Sequence, residues 1–423
     1  IQSIRSGEPH ADENTKNSAS AKVEEAESAV SGTADLKQNP QHSIPGKSGY
    51  TKKHAGASVI RNILKSGTKE PHAEVSTPAK KVDSVSETLE TKVKAAEQMA
   101  EAMQLLKEVR LEKGVFIDVE NDPNETGLVG SQFSLTTTDE GDLDAKLTTL
   151  DPNFAAAMVE LLNQAGLQSG DTIAVMLTGS MPGANMAMLI ACDAMDIHPV
   201  VITSIGASQW GANDPDMTWL DMEKLLFENN FISKRSIAAS IGGRNDQGRL
   251  LSLKGRELIT DNITEHGMPL IKGEGLRDNI LQRMDHFGNH EYKTVVNVGG
   301  GVASLGTSFN LRLLPPGVVY RQDIETITRS GGIEGAVVNF VKQNMPLIHV
   351  LNIQNLTEEL GMPFAPIPIP EIGLGSLYAI QKYNLNVTFI CLLIVAGMVF
   401  GVGWKSHQQI KQRMMEHEPD SVL

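Results

Sequence analysis

Cysteine is nearly absent, with two in 423 residues: Cys192 in a helical pattern and Cys391 in a hydrophobic run. A structural disulfide is therefore not expected, and cysteine usage says nothing about redox compartment. Aromatic residues make up only 4% of the chain, and the formal net charge is −14. So acidic a surface, with so few stacking side chains, argues against nucleic acid as a whole-surface partner. Cofactor signatures are missing as well. The glycine cluster at Gly299–Gly306 departs from the dinucleotide G-x-G-x-x-G spacing, and no lysine follows it as in a phosphate-binding loop. It reads as a tight turn or as a second wall of a carboxylate site, and no cofactor is expected. Asp285-His286-Phe287-Gly288-Asn289-His290-Glu291 holds two imidazoles and two carboxylates. Gly288 and Asn289 break the helix that would align the histidines, so no metal site is expected either.

What the chain does have is a compact strand–helix–strand unit at Gly170–Glu223. Thr172–Leu177 and Pro199–Thr203 are short apolar runs of the kind that form buried strands, and Met186, Leu189, Ile190 and Ala194 between them recur at helical spacing. The turns after the two strands leave the sheet at its C-terminal edge, where open α/β proteins place ligands. The first turn carries Ser180 and the amides of Met181–Gly183, with Pro182 suited to a first helical position. The second carries Ser204, Ser208 and Asn213. Ordinary βα turns, with the serines as local caps, are the competing account.

Around this unit the chain divides clearly. Residues 1–85 are rich in Ser, Ala, Lys, Glu, Pro and Gly and poor in large apolar residues, which predicts a disordered extension. Residues 86–114 predict an amphipathic helix with a stripe of Leu89, Val93, Ala96, Met99, Met103, Leu106 and Val109, packed on the domain or paired with another copy. Residues 115–375 predict one α/β domain with a mainly parallel sheet covered by helices, beginning with a strand at Val115–Val119. Prolines 363, 366, 368 and 370 predict a stiff linker over residues 363–384. Val387–Trp404 has no charge and predicts a transmembrane helix. The tail at 405–423 carries Lys405, Lys411 and Arg413 against Lys382 upstream, which puts the tail in the cytoplasm and the domain outside. A tail anchor with an inward-facing domain is the alternative. Ile1 stands where a start methionine would, so an upstream signal or membrane segment is expected.

The segments LTGSMPGAN, ITSIGASQWGAND, TWLDME and AASIGGRNDQG, with the earlier DPNETGLVG, TTTDEGDLDAK and DPNFAA, resemble the poly-γ-glutamate system protein family. The resemblance covers about Ala95 to Gly375 in consistent order. It implies a membrane-associated bacterial protein that takes part in making or exporting poly-γ-glutamate, with the polymer or its synthase subunits as partners. It supplies no catalytic residues. The N-terminal membrane segment expected of that family is not visible in this chain.

Charge points the same way. Lys234, Arg235, Arg244, Arg249, Lys254 and Arg256 face one acid, Asp246, between Ser233 and Arg256. Arginine forks match carboxylates, so Arg235 and Arg244 join Ser180, Met181, Gly183, Ser204, Ser208 and Asn213 as candidate ligand-binding residues. The competing account scatters these cations over separate solvated faces. The leading expectation is an accessory protein that binds the polymer or its synthase. The alternative is an extracytoplasmic serine-type amide hydrolase or transferase with Ser180 as nucleophile and His266 or His349 as base.

Overall fold

The computed structural model describes residues 79–307, 314–325, 332–378 and 385–416. The extension expected over 1–85 lies outside them up to residue 78, as do residues 379–384 of the linker and 417–423 of the tail.

Seven strands make the main sheet: β1 Thr172–Thr178, β2 His198–Ser204, β3 Ser236–Ser240, β4 Leu270–Ile271, β5 Tyr292–Val298, β6 Gly317–Val319 and β7 Leu347–Val350. Their order is β6-β7-β5-β1-β2-β3-β4. Every neighbouring pair is parallel except β6 with β7. The helices on the N-terminal side are α1 Ala79–Glu112, α2 Leu143–Thr149, α3 Asn153–Gln164, α4 Pro182–Ala194, α5 Trp219–Glu228 and α6 Leu253–Glu265. The remainder are α7 Leu276–Phe287, α8 Val302–Leu305, α9 Arg321–Glu325, α10 Ala336–Val341, α11 Ile353–Leu360 and α12 Leu385–Glu416.

Helices cover both faces, which explains why β1 is apolar without a break from Ile173 to Leu177. Ile173, Val175 and Leu177 pack into one core with Met99 of α1, Phe154 and Met158 of α3 and Leu189 of α4. Ala174 and Met176 point the other way, into a core with Ile280 and Phe287 of α7 and Val337 and Phe340 of α10. Strands β1 to β4 advance in one direction across the sheet, and β5 then returns to the other side of β1. The loops after β1 and β5 therefore diverge, and the sheet has its topological switch point between them. Ligand crevices of open parallel sheets form at such points.

Two expectations need correction. Val115–Val119 is not a strand: it is irregular chain in which Phe116 is 88% and Val119 54% exposed. Its first amide closes the end of α1, with Val115 N–H donating to the Arg110 carbonyl (3.0 Å), and among the described residues no strand pairs with the rest. The proline-rich segment is not a free spacer, because as far as Tyr378 it is strapped to the domain. The carbonyls of Pro366 and Pro370 accept from Asn124 and Asn153, and Met362, Leu377 and Tyr378 enter the main core.

Helix α1 packs on the domain. Ala95, Ala96, Met99, Ala102, Met103 and Leu106 lie in the main core, and the Arg110 guanidinium donates to the Gly127 carbonyl (2.7 Å). Val387–Glu416 within α12 is long and apolar enough to cross a membrane, and none of it is buried against the rest of the chain. The helix continues unbroken past Trp404 to Glu416, so the described part of the basic tail is helical.

Candidate functional site

The ends of β1, β2 and β3 stand in register, with Thr178 beside Ser204 and Ser204 beside Ser240. The loops after β1, β2, β3 and β5 enclose a cleft of about 410 Å³ on this edge. Close backbone packing makes it possible. A Cβ on Gly179 would sit 2.2 Å from the Ile205 carbonyl oxygen, and one on Gly299 would sit 2.3 Å from Thr178 Oγ1. Gly299 also holds φ +89°, which a side chain would strain. Gly299–Gly301 forms part of the cleft wall.

Of the residues singled out from the sequence, Ser180, Met181, Ser204, Ser208 and Arg244 line this cleft. Gly183, Asn213 and Arg235 do not. Gly183 is pressed against α2, where an added Cβ would lie 2.3 Å from the Thr149 carbonyl oxygen. The Met181 amide is consumed in a turn, donating to the Thr178 carbonyl (3.3 Å), so the expected nest of helix-start amides does not form. Asn213 is fully buried and staples the Ser131 segment, with its Oδ1 accepting from Ser131 N–H (3.0 Å) and its Nδ2 donating to Ser131 O (2.7 Å). Arg235 precedes β3 and Arg244 follows it, and five strand residues separate the two by about 17 Å. A strand's two ends lie on opposite edges of the sheet, so only Arg244 reaches the cleft. The cation island disperses in the same way, with Lys254 paired to Glu257 on α6.

At the far edge, Arg235 Nε lies 3.9 Å from Glu223, whose carboxylate is fully buried and accepts from Ser236 Oγ (2.8 Å). Burial pushes the Glu223 carboxyl up to about 7 from its usual 4.5, with the Ser236 hydrogen bonds and the Arg235 charge opposing the shift. A folded-state pKa above the unfolded one means stability that is full below about pH 4.5 and lost as pH rises through about 7. Glu223→Gln keeps an acceptor for Ser236 and removes the buried charge. Urea unfolding should therefore find it more stable than wild type at pH 8, with the gap closing towards pH 5; equal stability at pH 8 would contradict this.

The decisive side chain is one that the sequence reading passed over. Lys146 on α2 is 3% exposed and lines the cleft. Its Nζ donates to Ser208 Oγ (3.1 Å) and approaches Met181 Sδ at 3.6 Å. Among the described residues no carboxylate forms an ion pair with it. Burial lowers its pKa to about 8 from 10.5, partly offset by Asp142. In LDAKLTT this lysine reads as one more solvated cation. The only signal for it was its place in TTTDEGDLDAK, which also supplies the cleft residues Asp139, Glu140 and Asp142.

Ser204 serves the scaffold. Its Oγ lies 3.1 Å from both Ser240 Oγ and Asp246 Oδ1 and accepts from the Arg283 guanidinium (2.8 Å). Arg283 and Asp246 form a buried ion pair at 3.0 Å, and Asn279 donates to the Asp246 carbonyl (2.9 Å). Asn245 and Asp246 adopt left-handed backbone, which short polar residues tolerate, and the turn leaves Arg244 exposed at the rim.

Neither proposed histidine base serves Ser180. His266 bonds Asp221 (3.0 Å) and the Arg235 guanidinium (3.3 Å) at the far edge. His349 is fully buried in β7 beside Asn297, and burial lowers its pKa to about 4. The Ser180 hydroxyl instead accepts the Ser208 backbone N–H (2.9 Å). No family model, curated protein or solved structure matches this chain.

Proposed function

We propose that this chain is a membrane-anchored component of poly-γ-glutamate synthesis or export whose cleft holds one end of a γ-glutamyl chain. One observation carries the reading. Four separate segments that resemble the poly-γ-glutamate system family meet in this single cleft, and they bring two cations that, among the described residues, form no direct ion pair with a carboxylate. TTTDEGDLDAK brings Lys146, LTGSMPGAN brings Ser180, ITSIGASQWGAND brings Ser208 and AASIGGRNDQG brings Arg244.

The charges favour an end over a continuous stretch. Asp139, Glu140 and Asp142 are exposed along the same cleft and repel a run of carboxylates. The amino end of a γ-glutamyl chain carries one α-ammonium, which suits those acids, and one α-carboxylate, which suits the Arg244 fork.

Calorimetric titration of oligo-γ-glutamate into the full-length chain in detergent tests this reading. Arg244→Ala should weaken binding roughly tenfold, with a strong salt dependence, and N-acetylation of the oligomer should weaken it as well. Absence of binding by the wild-type chain would remove the polymer from the account.

Membrane anchoring rests on α12, and we place the domain outside the cell because Lys405, Lys411 and Arg413 follow the span. Protease added to intact cells should digest the domain and spare a tag placed after Leu423; protection of the domain would reverse the orientation.

A further inference from the structure

We propose that Ser208 and Lys146 form a nucleophile–base pair that carries out acyl transfer on an amide carbonyl bound in the cleft. The substrate class, γ-linked glutamyl amides, rests on the proposed function. The pair itself rests only on geometry.

Ser208 Oγ lies 3.1 Å from Lys146 Nζ, and both residues line the same cleft. Hydrogen-bond contact between a serine hydroxyl and a positioned base is the basic requirement for an activated nucleophile, and lysine is one of the groups that fill the role of base. The serine is held firmly. Its N–H donates to Ser180 Oγ (2.9 Å), and Ala207–Ser208 pairs in parallel with Thr137–Asp139. Ser180 is thus a positioning residue, and the nucleophile is the serine it holds. The loop after β5 brings Gly299, Gly300 and Gly301 to the cleft, so part of its wall is backbone without side chains.

A purely structural role accounts poorly for Lys146. Desolvating an ammonium is costly, and one neutral hydroxyl does not compensate for it as a carboxylate would. The same burial lowers the lysine pKa to about 8, which makes a neutral amine available near physiological pH.

In the first step Ser208 Oγ bonds to the amide carbonyl carbon and its proton passes to neutral Lys146 Nζ. The tetrahedral intermediate collapses with cleavage of the C–N bond, and Lys146 returns the proton to the departing amine. Water, or the amine of a second chain, then attacks the Ser208 ester and gives its proton to Lys146. As the ester C–O bond breaks, that proton returns to Ser208 Oγ. Hydrolysis results in the first case and chain transfer in the second, and neither needs an oxidant or a reductant.

The test uses the full-length protein and a fluorophosphonate probe, which bonds to an activated serine with loss of fluoride, followed by mass-spectrometric mapping. Ser208 should be the labelled residue, at a rate that rises with pH around an apparent pKa near 8. Ser208→Ala should remove the label, and Lys146→Met should slow it by roughly a hundredfold or more. A cooperative thermal transition in Lys146→Met establishes that the variant is folded. No labelling of wild type between pH 7 and 9, labelling at a different serine, or an unchanged rate in Lys146→Met would each overturn the proposal. Calorimetry separates it from the polymer reading: labelling without oligoglutamate binding keeps the pair and discards that polymer, whereas binding without labelling discards the pair.

Discussion

Replacing Lys146 by methionine should make the protein more stable at pH 7 while weakening ligand binding. Among the described residues no carboxylate forms a direct ion pair with the buried lysine, and burial, partly offset by Asp142, lowers its pKa from 10.5 to about 8. At about 1.4 kcal/mol per pKa unit, that shift corresponds to a folded-state cost on the order of 3 kcal/mol. Methionine fills a similar volume without charge, and the lost bond to Ser208 returns about 1 kcal/mol of the gain. The net expectation is roughly 2 kcal/mol of added stability. The pH dependence gives the sign an independent check. At pH 7 both folded and unfolded chains hold the lysine proton, so the cost is complete. Between about 8 and 10.5 the folded chain has released a proton that the unfolded chain still binds, so wild-type stability rises with pH. The advantage of Lys146→Met should therefore shrink across that window. Urea unfolding at pH 7 and pH 10 measures both values, and calorimetry with oligoglutamate measures the loss of binding. A variant less stable than wild type at pH 7 would mean that the lysine is structural. Opposite movement of stability and binding is the pattern expected of a residue kept for function.

Arg283→Met should have the largest destabilising effect. Its guanidinium is fully buried and neutralises Asp246 at 3.0 Å beneath the cleft. Removing it leaves a buried carboxylate supported, among the described residues, by Ser204, Ser240 and Asn279, and breaking a buried pair in this way costs about 3–5 kcal/mol. Adding Asp246→Asn should recover more than half of the loss, because an amide has no charge to desolvate and tolerates the left-handed backbone at this position. The loop that carries Arg244 is tied down by the same network, so oligoglutamate binding should fall in Arg283→Met and return partly in the double variant. Chemical denaturation of the three variants decides the matter; a double variant no more stable than Arg283→Met would show that the uncompensated charge is not the cause.

The sequence alone determined the elements whose burial is periodic. The α1 and α4 helices, the continuous apolar runs of β1 and β2 and the charge-free stretch of α12 could all be read within a few residues of where they fall. In each, a residue's environment is set by neighbours within its own strand or helix, so spacing reveals it. Val115–Val119 failed that test because apolar composition alone does not provide a partner strand. The segment at 363–378 failed because its prolines revealed stiffness but not the asparagines on the domain that donate to its carbonyls. Ser180, Ser204, Ser208 and Arg244 were legible because they follow strands, and strand ends of a parallel sheet share one edge. The rest was tertiary. The switch point exists because β1 pairs with β5, whose end lies 120 residues away where Thr178 bonds the Val298 carbonyl. Arg235 left the site because a strand separates it from Arg244, and Lys146 entered because α2 lays it against a serine 62 residues further on. Whether a lysine is an ordinary surface cation or a buried, poised base depends on the solvent and charges around its ammonium. Those are properties of the folded surroundings, and local sequence does not encode them.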